Sequence, residues 1–340
     1  METRRYTLIY VSLVAAVVLL LCLSLMVGAV SIPAAEVFDL LTGGEGGGRV
    51  HRFIVLGSRL PQALTAMLCG SGLAAAGLLL QTAFRNALAG PGVFGIGSGA
   101  ALGVAIVMLA GGGTLSAGTF SIGGLAAVMV AAFAGAMTVT LLLLFMASVL
   151  RSGVMLLITG LMTGYVASSV ISLLQFFATE QGVQSYMVWG MGSFAAVSME
   201  LLPAFAALTV AGLGLALLMV KPLNAMLLGE LYAESMGFST GRIRAWLLLV
   251  TGLLTATCTA FCGPIGFIGL AVPHIARMLT RTDEHSRLLP ATMLTGSVVA
   301  LLCNIVCVLP LGHGLLPLGA VTPLMGAPVI IYVILRERRS

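Results

Sequence analysis

Residues 7–30 read TLIYVSLVAAVVLLLCLSLMVGAV, a stretch without Asp, Glu, Lys or Arg. A helix rises about 1.5 Å per residue, so roughly 20 apolar residues cross the hydrocarbon layer of a bilayer. The run is longer than the roughly 7–15 apolar residues of a cleaved signal peptide, and it predicts a retained first transmembrane helix. Low-charge apolar runs of the same kind recur at 59–83, 93–111, 121–148, 152–175, 190–220, 243–261, 263–279, 289–311 and 315–335. Together they predict about ten spans. Of 340 residues, 59% are hydrophobic and 8% charged, whereas about a quarter are charged in a soluble domain. Mean hydropathy is +1.14. These figures exclude a soluble enzyme, a nucleic-acid-binding protein and a disordered chain together. The expected fold is an all-α, multi-pass domain covering 1–340.

Arginine placement sets the orientation, because Lys and Arg are retained on the cytoplasmic side. With the N-terminus inside, the inner segments hold Arg4, Arg5, Arg85, Arg151, Lys221, Arg242, Arg244, Arg277, Arg281, Arg287, Arg336, Arg338 and Arg339. Only Arg49, Arg52 and Arg59 fall outside. The net charge of +5 is therefore a topology signal, and an even number of spans puts both termini in the cytoplasm. Cys22, Cys69, Cys258, Cys262, Cys303 and Cys307 all lie in spans. No histidine or carboxylate stands at ligand spacing from the Cys258/Cys262 or Cys303/Cys307 pairs, so no metal site is expected; buried cysteine also acts as a small hydrophobe.

The chain has no evident power source. Its one lysine, Lys221, is not in the Gly-x-x-x-x-Gly-Lys-Ser/Thr context that holds nucleotide phosphates. The eleven acids (Glu2, Glu36, Asp39, Glu45, Glu180, Glu200, Glu230, Glu234, Asp283, Glu284 and Glu337) fall in loops, at termini or near span ends. An ion-coupled secondary transporter is expected to carry ionisable groups within the membrane, and a membrane enzyme needs a nucleophile–base or metal constellation. Both readings are disfavoured. The chain is read as a non-enzymatic transport subunit whose energy comes from a partner.

Residues 221–244 form the longest inner polar segment. Pro222 is expected to stop the sixth span, Asn224 to cap a short helix, and Gly229 to break it before a second helix that ends near Gly237. Such an elbow, centred on 221–242, offers either a knob for a neighbouring subunit or a solvated loop. Gly90-Pro91-Gly92-Val93-Phe94-Gly95 follows the second span, and Gly263-Pro264-Ile265-Gly266-Phe267-Ile268-Gly269 follows the seventh, facing the other way. The pair points to inverted-repeat halves at about 59–175 and 243–335. The short eighth span is expected to be half-length or broken. Gly95/Gly99/Gly103 forms a small-xxx-small series suited to close helix contact.

Ordered motifs run along the chain. They are Arg59-Leu-Pro, Gln81-x-x-x-Arg85-Asn86-x-Leu88-Ala89-x-Pro91, Trp189-x-x-Gly192-Ser193, Gly229-Glu230-x-x-Ala233-x-x-Met236-Gly237, Gly263-Pro-Ile-Gly-Phe-Ile-Gly-Leu-x-x-Pro273-His274-x-x-Arg277, and Leu316-Pro317-x-Gly319-x-Val321-Thr322 with Gly326-Ala-Pro328. In these the sequence resembles the permease subunits of ABC importers for iron-siderophores, haem and cobalamin. The resemblance implies a cell (inner) membrane protein of ten helices that pairs with a second copy, two ATP-binding subunits and an extracytoplasmic substrate-binding protein. ATP and Mg would bind to the partner subunits, and this chain itself would hold no cofactor. The leading cargo is a ferric siderophore or haem, with cobalamin as the alternative.

The resemblance also assigns sites. Leu228, Gly229, Glu230, Ala233, Glu234, Met236 and Gly237 would couple to the ATPase, with Leu227 and Leu231 adding apolar contact. Arg59, joined by Arg52 and Arg49 in a Gly-rich outer loop, would dock the binding protein. By position alone, and not from the resemblance, Ser152 and Gly153 would stand at the inner gate, and the mildly polar face of Thr159, Thr163, Tyr165, Ser168 and Ser169 would line the pathway or bond between helices. The sequence departs from the family at Gln62, Val308 and Leu315, where charged docking residues are usual. His274 is expected to be a hydrogen-bonded structural residue, His313 is the better haem-handling candidate, and His51 and His285 show no partner.

Overall fold

The computed structural model describes residues 2–28, 30–44, 48–110, 122–150, 152–309 and 316–337. Glu45, Arg151, His313, Leu315, Arg338 and Arg339 lie outside the described residues, as do the side chains of Glu2, Glu230, Arg336 and Glu337. Among the described residues the regular structure is helical throughout. In chain order the helices are α1 (Glu2–Met26), α2 (Ala34–Leu41), α3 (Gly48–Arg52), α4 (Leu60–Ala83), α5 (Ile96–Ala105), α6 (Ile122–Val149), α7 (Gly153–Phe177) and α8 (Glu180–Gly190). Then follow α9 (Leu202–Leu218), α10 (Val220–Leu227), α11 (Glu230–Ser235), α12 (Thr240–Cys262), α13 (Ile268–Thr280), α14 (His285–Val308) and α15 (Leu318–Glu337).

Six helical stretches are long and apolar enough to cross a membrane: Arg4–Met26, Gly48–Ala83, Gly124–Val149, Gly153–Phe177, Thr240–Cys262 and His285–Val308. The pair α9 and α10, bent by 44°, makes a seventh. Shorter apolar helices, Ile96–Leu109, Ile268–Thr280 and Leu318–Tyr332, stand where the third, eighth and tenth spans are predicted.

Several boundaries differ from the sequence reading. The sixth span begins at Leu202 rather than at 190. Gly192 has φ +68° and the Ser193 N–H donates to Cys262 O at 2.8 Å, so the chain turns onto the end of α12. Pro203 then starts α9 from its first turn, where a missing N–H costs nothing. The helix α8 before this turn is not anticipated. Pro222 does not stop the sixth span, because the bend precedes it at Met219 and the proline lies in the first turn of α10. Arg49 and Arg52 are not in a loop: α3 runs through a π-helical stretch, Phe53–Arg59, directly into α4.

In a bilayer the surrounding lipid is as apolar as leucine, so helices associate through close packing and hydrogen bonds. α4 is the centre of that packing, touching α14, α12, α13 and α9. It is rich in small residues, and a Cβ on Gly77 would collide with the backbone oxygen of Gly269 in α13, while one on Gly70 would collide with that of Gly296 in α14. Gly99 and Gly103 of α5 meet Gly135 and Ala131 of α6 in the same manner, and Gly95 meets Gly160 of α7.

The packing pairs repeat. α4 on α14 matches α12 on α6; α5 on α6 matches α13 on α14; α5 on α7 matches α13 on α15; and α9 lies against both α4 and α12. Exchanging the segments 59–175 and 243–335 maps each pair onto its counterpart.

Candidate functional site

The third and eighth helices are short because the chain before each is not helical. Gly95 (φ +72°) and Gly263 (φ +76°) adopt left-handed backbone that a side chain disfavours, and Phe267 is forced to φ +65°. Pro91 touches Gly269, and Gly269 lies against the Leu73 carbonyl in the middle of α4. Both Gly-Pro segments therefore reach the depth of the α4 midpoint. There they line one cavity of about 390 Å³, together with Thr255 and Thr259 of α12 and Ser98 of α5. Non-helical backbone at membrane depth is tolerated where it is buried in protein or lines such a space. Thr255 Oγ1 is buried with no hydrogen-bond partner, so the cavity wall presents an unengaged hydroxyl.

Below this cavity the motif residues converge. Arg277 donates to Gln81 Oε1 at 2.7 Å and pairs with Asp283 at 3.2 Å, while Gln81 Nε2 donates to Leu270 O at 3.2 Å. Arg85 reaches across to Met226 O at 2.9 Å. His274 Nε2 lies 2.9 Å from Ala87 O, a buried structural histidine. His285, expected to be exposed and unpartnered, is instead buried. Its Nε2 is 2.8 Å from Thr82 Oγ1, and its backbone N–H donates to Asn224 Oδ1 at 2.7 Å. Asn224 thus does not cap its own helix: it sits inside α10 and caps α14. The Thr82–His285–Asn224 contact escapes sequence reading, because nothing local links residues so far apart.

The elbow hangs from this knot. Gly229 (φ +122°) separates α10 from α11, and Gly237 (φ +84°) ends the second turn. Ala233 is buried, whereas Leu227, Leu228, Leu231, Tyr232 and Met236 are exposed, Leu231 at 85%. Glu234 is exposed and its Oε1 accepts from Thr240 Oγ1 at 2.9 Å, tying α11 to the start of α12. The elbow is an apolar surface held from below.

At the other face Arg59 is turned inward and only 7% exposed. Its guanidinium donates to Leu25 O at 2.8 Å, to Met26 O at 3.0 Å and to Val30 O. Those are the orphan carbonyls at the end of α1 and just beyond, so this arginine caps a helix with its guanidinium turned inward. Arg49 and Arg52 are exposed. His51 has a partner after all, with Nδ1 2.6 Å from Glu36 Oε1. Gln62 Nε2 donates to Asn304 Oδ1 at 2.8 Å, which ties α4 to α14 at the position where the family usually has a charge. Val308 closes α14.

The hydroxyls of α7 bond within their own helix rather than between helices. Thr159 donates to Met155 O at 2.9 Å and Thr163 to Thr159 O at 2.8 Å, while Ser168 O receives Ser172 Oγ at 3.0 Å. Ser168 and Tyr165 are exposed on a helix with few buried residues. Ser152 precedes α7 without a capping bond, and Gly153 lies beside the Phe84 ring. Among the described residues no three or more His, Cys, Asp or Glu side chains come together as a metal site would need.

Residues 16–336 match the model of the FecCD transport family. The sequence is similar to the vitamin B12 import system permease protein BtuC of Citrobacter koseri, at 35% identity over 83% of this chain and 82% of the relative. It is similar to the protein of the same name from Klebsiella pneumoniae, at 36% identity over 82% of each. The fold is similar to that of a solved inward-facing conformation assigned to the metal-chelate type of ABC transporter. That similarity has a TM-score of 0.83 and 29% identity, over 97% of this chain and 99% of the other.

Proposed function

The chain belongs to the FecCD transport family, and on that premise we propose that this ABC importer permease passes a bulky metal chelate, a ferric siderophore or haem, into the cell. A second cargo, cobalamin, is favoured by a specific observation: the curated relatives at 35–36% identity are vitamin B12 import permeases. The permease is a multi-pass membrane subunit and not an ATPase.

The exposed apolar elbow carries the mechanistic part of this reading. Leu228, Leu231 and Met236 project from turns anchored by Arg85 and Asn224, a form suited to the groove of an ATP-binding subunit. Exposed charges such as Glu234 contribute only about 0–1 kcal/mol, so apolar contact dominates that joint. Two ATP-binding subunits, with ATP and Mg, would drive two copies of this chain, and an extracytoplasmic protein would deliver the chelate. Thr159, Thr163 and Ser168, with Ser152 and Gly153 at the inner end, remain the proposed wall and gate between the copies.

Reconstitution into vesicles tests the proposal. Uptake of labelled chelate is expected only with the ATP-binding subunits and ATP present, and accumulation without them overturns it. Mass spectrometry of the ligand held by the co-purifying binding protein decides between siderophore, haem and cobalamin.

A further inference from the structure

The N-terminal turn of α1 and the C-terminal end of α13 flank a shallow, wide-open cavity of about 850 Å³. Arg4, Arg5 and Arg281 line it, brought together across most of the chain's length. Arg5 donates a long hydrogen bond, 3.4 Å, to Thr280 O, which fixes the two helix ends side by side. Arg281 leaves α13 at φ +52°, a left-handed conformation unusual for a side-chain-bearing residue. Acids follow immediately in sequence, but they are engaged elsewhere: Asp283 pairs with Arg277 at 3.2 Å and Glu284 with Arg287 at 3.3 Å. None of the three cavity arginines has an ion-pair partner among the described residues.

The rest of the lining is apolar except for Ser12, whose hydroxyl bonds back to Ile9 O at 2.8 Å, and it lies further along the two helices toward their apolar middles. Leu8 and Ile9 stand one turn further along α1, and Leu279 is the corresponding residue of α13. Leu8 is 63% exposed and Leu279 42%. The site is thus stratified, with cations at the level of the membrane surface and an apolar slot below them. A soluble anion has no use for the slot, and a zwitterionic or neutral lipid gains little from three cations.

We propose that this cavity holds an anionic phospholipid, with its phosphate on Arg4, Arg5 and Arg281 and an acyl chain along Leu8 and Leu279. The site lies on the arginine-rich face that also carries the elbow, the face that membrane surface charge places against anionic lipid. It is separate from the coupling and pathway residues.

The test uses the full chain purified from membranes in mild detergent, with native mass spectrometry in added phosphatidylglycerol or phosphatidylcholine. Wild type is expected to retain phosphatidylglycerol preferentially. The variant Arg4→Ala/Arg5→Ala/Arg281→Ala should retain it on the order of a hundredfold less, since each surface arginine contributes about fivefold. The matching lysine variant should keep most of the preference. Equal retention by wild type and the alanine variant overturns the proposal. Release of the lipid by millimolar inorganic phosphate would show a simple anion site and would overturn it too. So would an alanine variant that keeps its lipid but sheds an ATP-binding subunit, because the arginines would then be a protein contact. If the alanine variant does not fold, wild-type melting decides: phosphatidylglycerol should raise it more than phosphatidylcholine, and an equal effect sinks the idea.

Discussion

The side-chain oxygen of Asn224 accepts the backbone N–H of His285 at 2.7 Å, so the elbow caps a helix whose sequence lies sixty-one positions further on. The same oxygen is 3.1 Å from His285 Nδ1. A carbonyl oxygen only accepts, so Nδ1 carries the proton, and Nε2 of the neutral ring faces the Thr82 hydroxyl, whose single proton is shared with Leu78 O at 3.0 Å. One amide joins the elbow to α14 and, through the imidazole, to α4.

Asn224→Ala removes this cap and is expected to cost about 1 kcal/mol. Asn224→Asp, which still accepts and favours a helix N-terminus, should lose less. Thermal unfolding of the detergent-solubilised chain checks both, and an alanine variant as stable as wild type would show that the contact carries no weight.

Met236→Asp places a charge in the middle of the exposed apolar surface of the elbow. ATP hydrolysis by the assembled importer should continue while chelate uptake falls, measured in the same vesicles. Uptake unchanged from wild type would remove Met236 from the coupling joint.

Gly77→Ala drives a methyl group into the Gly269 carbonyl, and overpacking of this kind costs about 1–3 kcal/mol. Gly97→Ala is the control, because a Cβ there meets nothing within 4 Å and alanine is the better helix former. A lowered melting temperature is expected for the first and not for the second. Identical melting would mean that α4 and α13 are not in backbone contact.

Arg59→Ala leaves the last carbonyls of α1 without their donor. Hydrogen bonds to a charged group contribute about 1.5–3 kcal/mol each, so the isolated permease should melt markedly lower, with Arg59→Lys intermediate. If stability is untouched and only affinity for the binding protein drops, the arginine is a docking residue and the capping account fails.

The long apolar runs made the helical class legible, because bilayer thickness imposes one length on every crossing. The elbow was legible too, since Gly229 and Gly237 adopt the left-handed backbone that ends helices. The capping contacts of Arg59 were not legible for a physical reason: sequence places it at the membrane edge, but only the fold brings the frayed end of α1 within its reach. Asn224 failed likewise, because a capping residue next to a helix start looks the same whether it serves its own helix or a distant one. The short eighth helix was expected, whereas the third was read as a full span and its shortness was not. The two Gly-Pro segments pointed to inverted halves, whereas their meeting at one depth is a tertiary fact.

The backbone-to-backbone seams between α4, α13 and α14 also bear on how the molecule moves. Glycine surfaces in such contact interlock without flexible side chains that could re-pack, so sliding one helix past another means separating main chains outright. These three helices are therefore the chassis during a transport cycle. The moving parts have to be sought away from such seams, in the hanging turns α10 and α11.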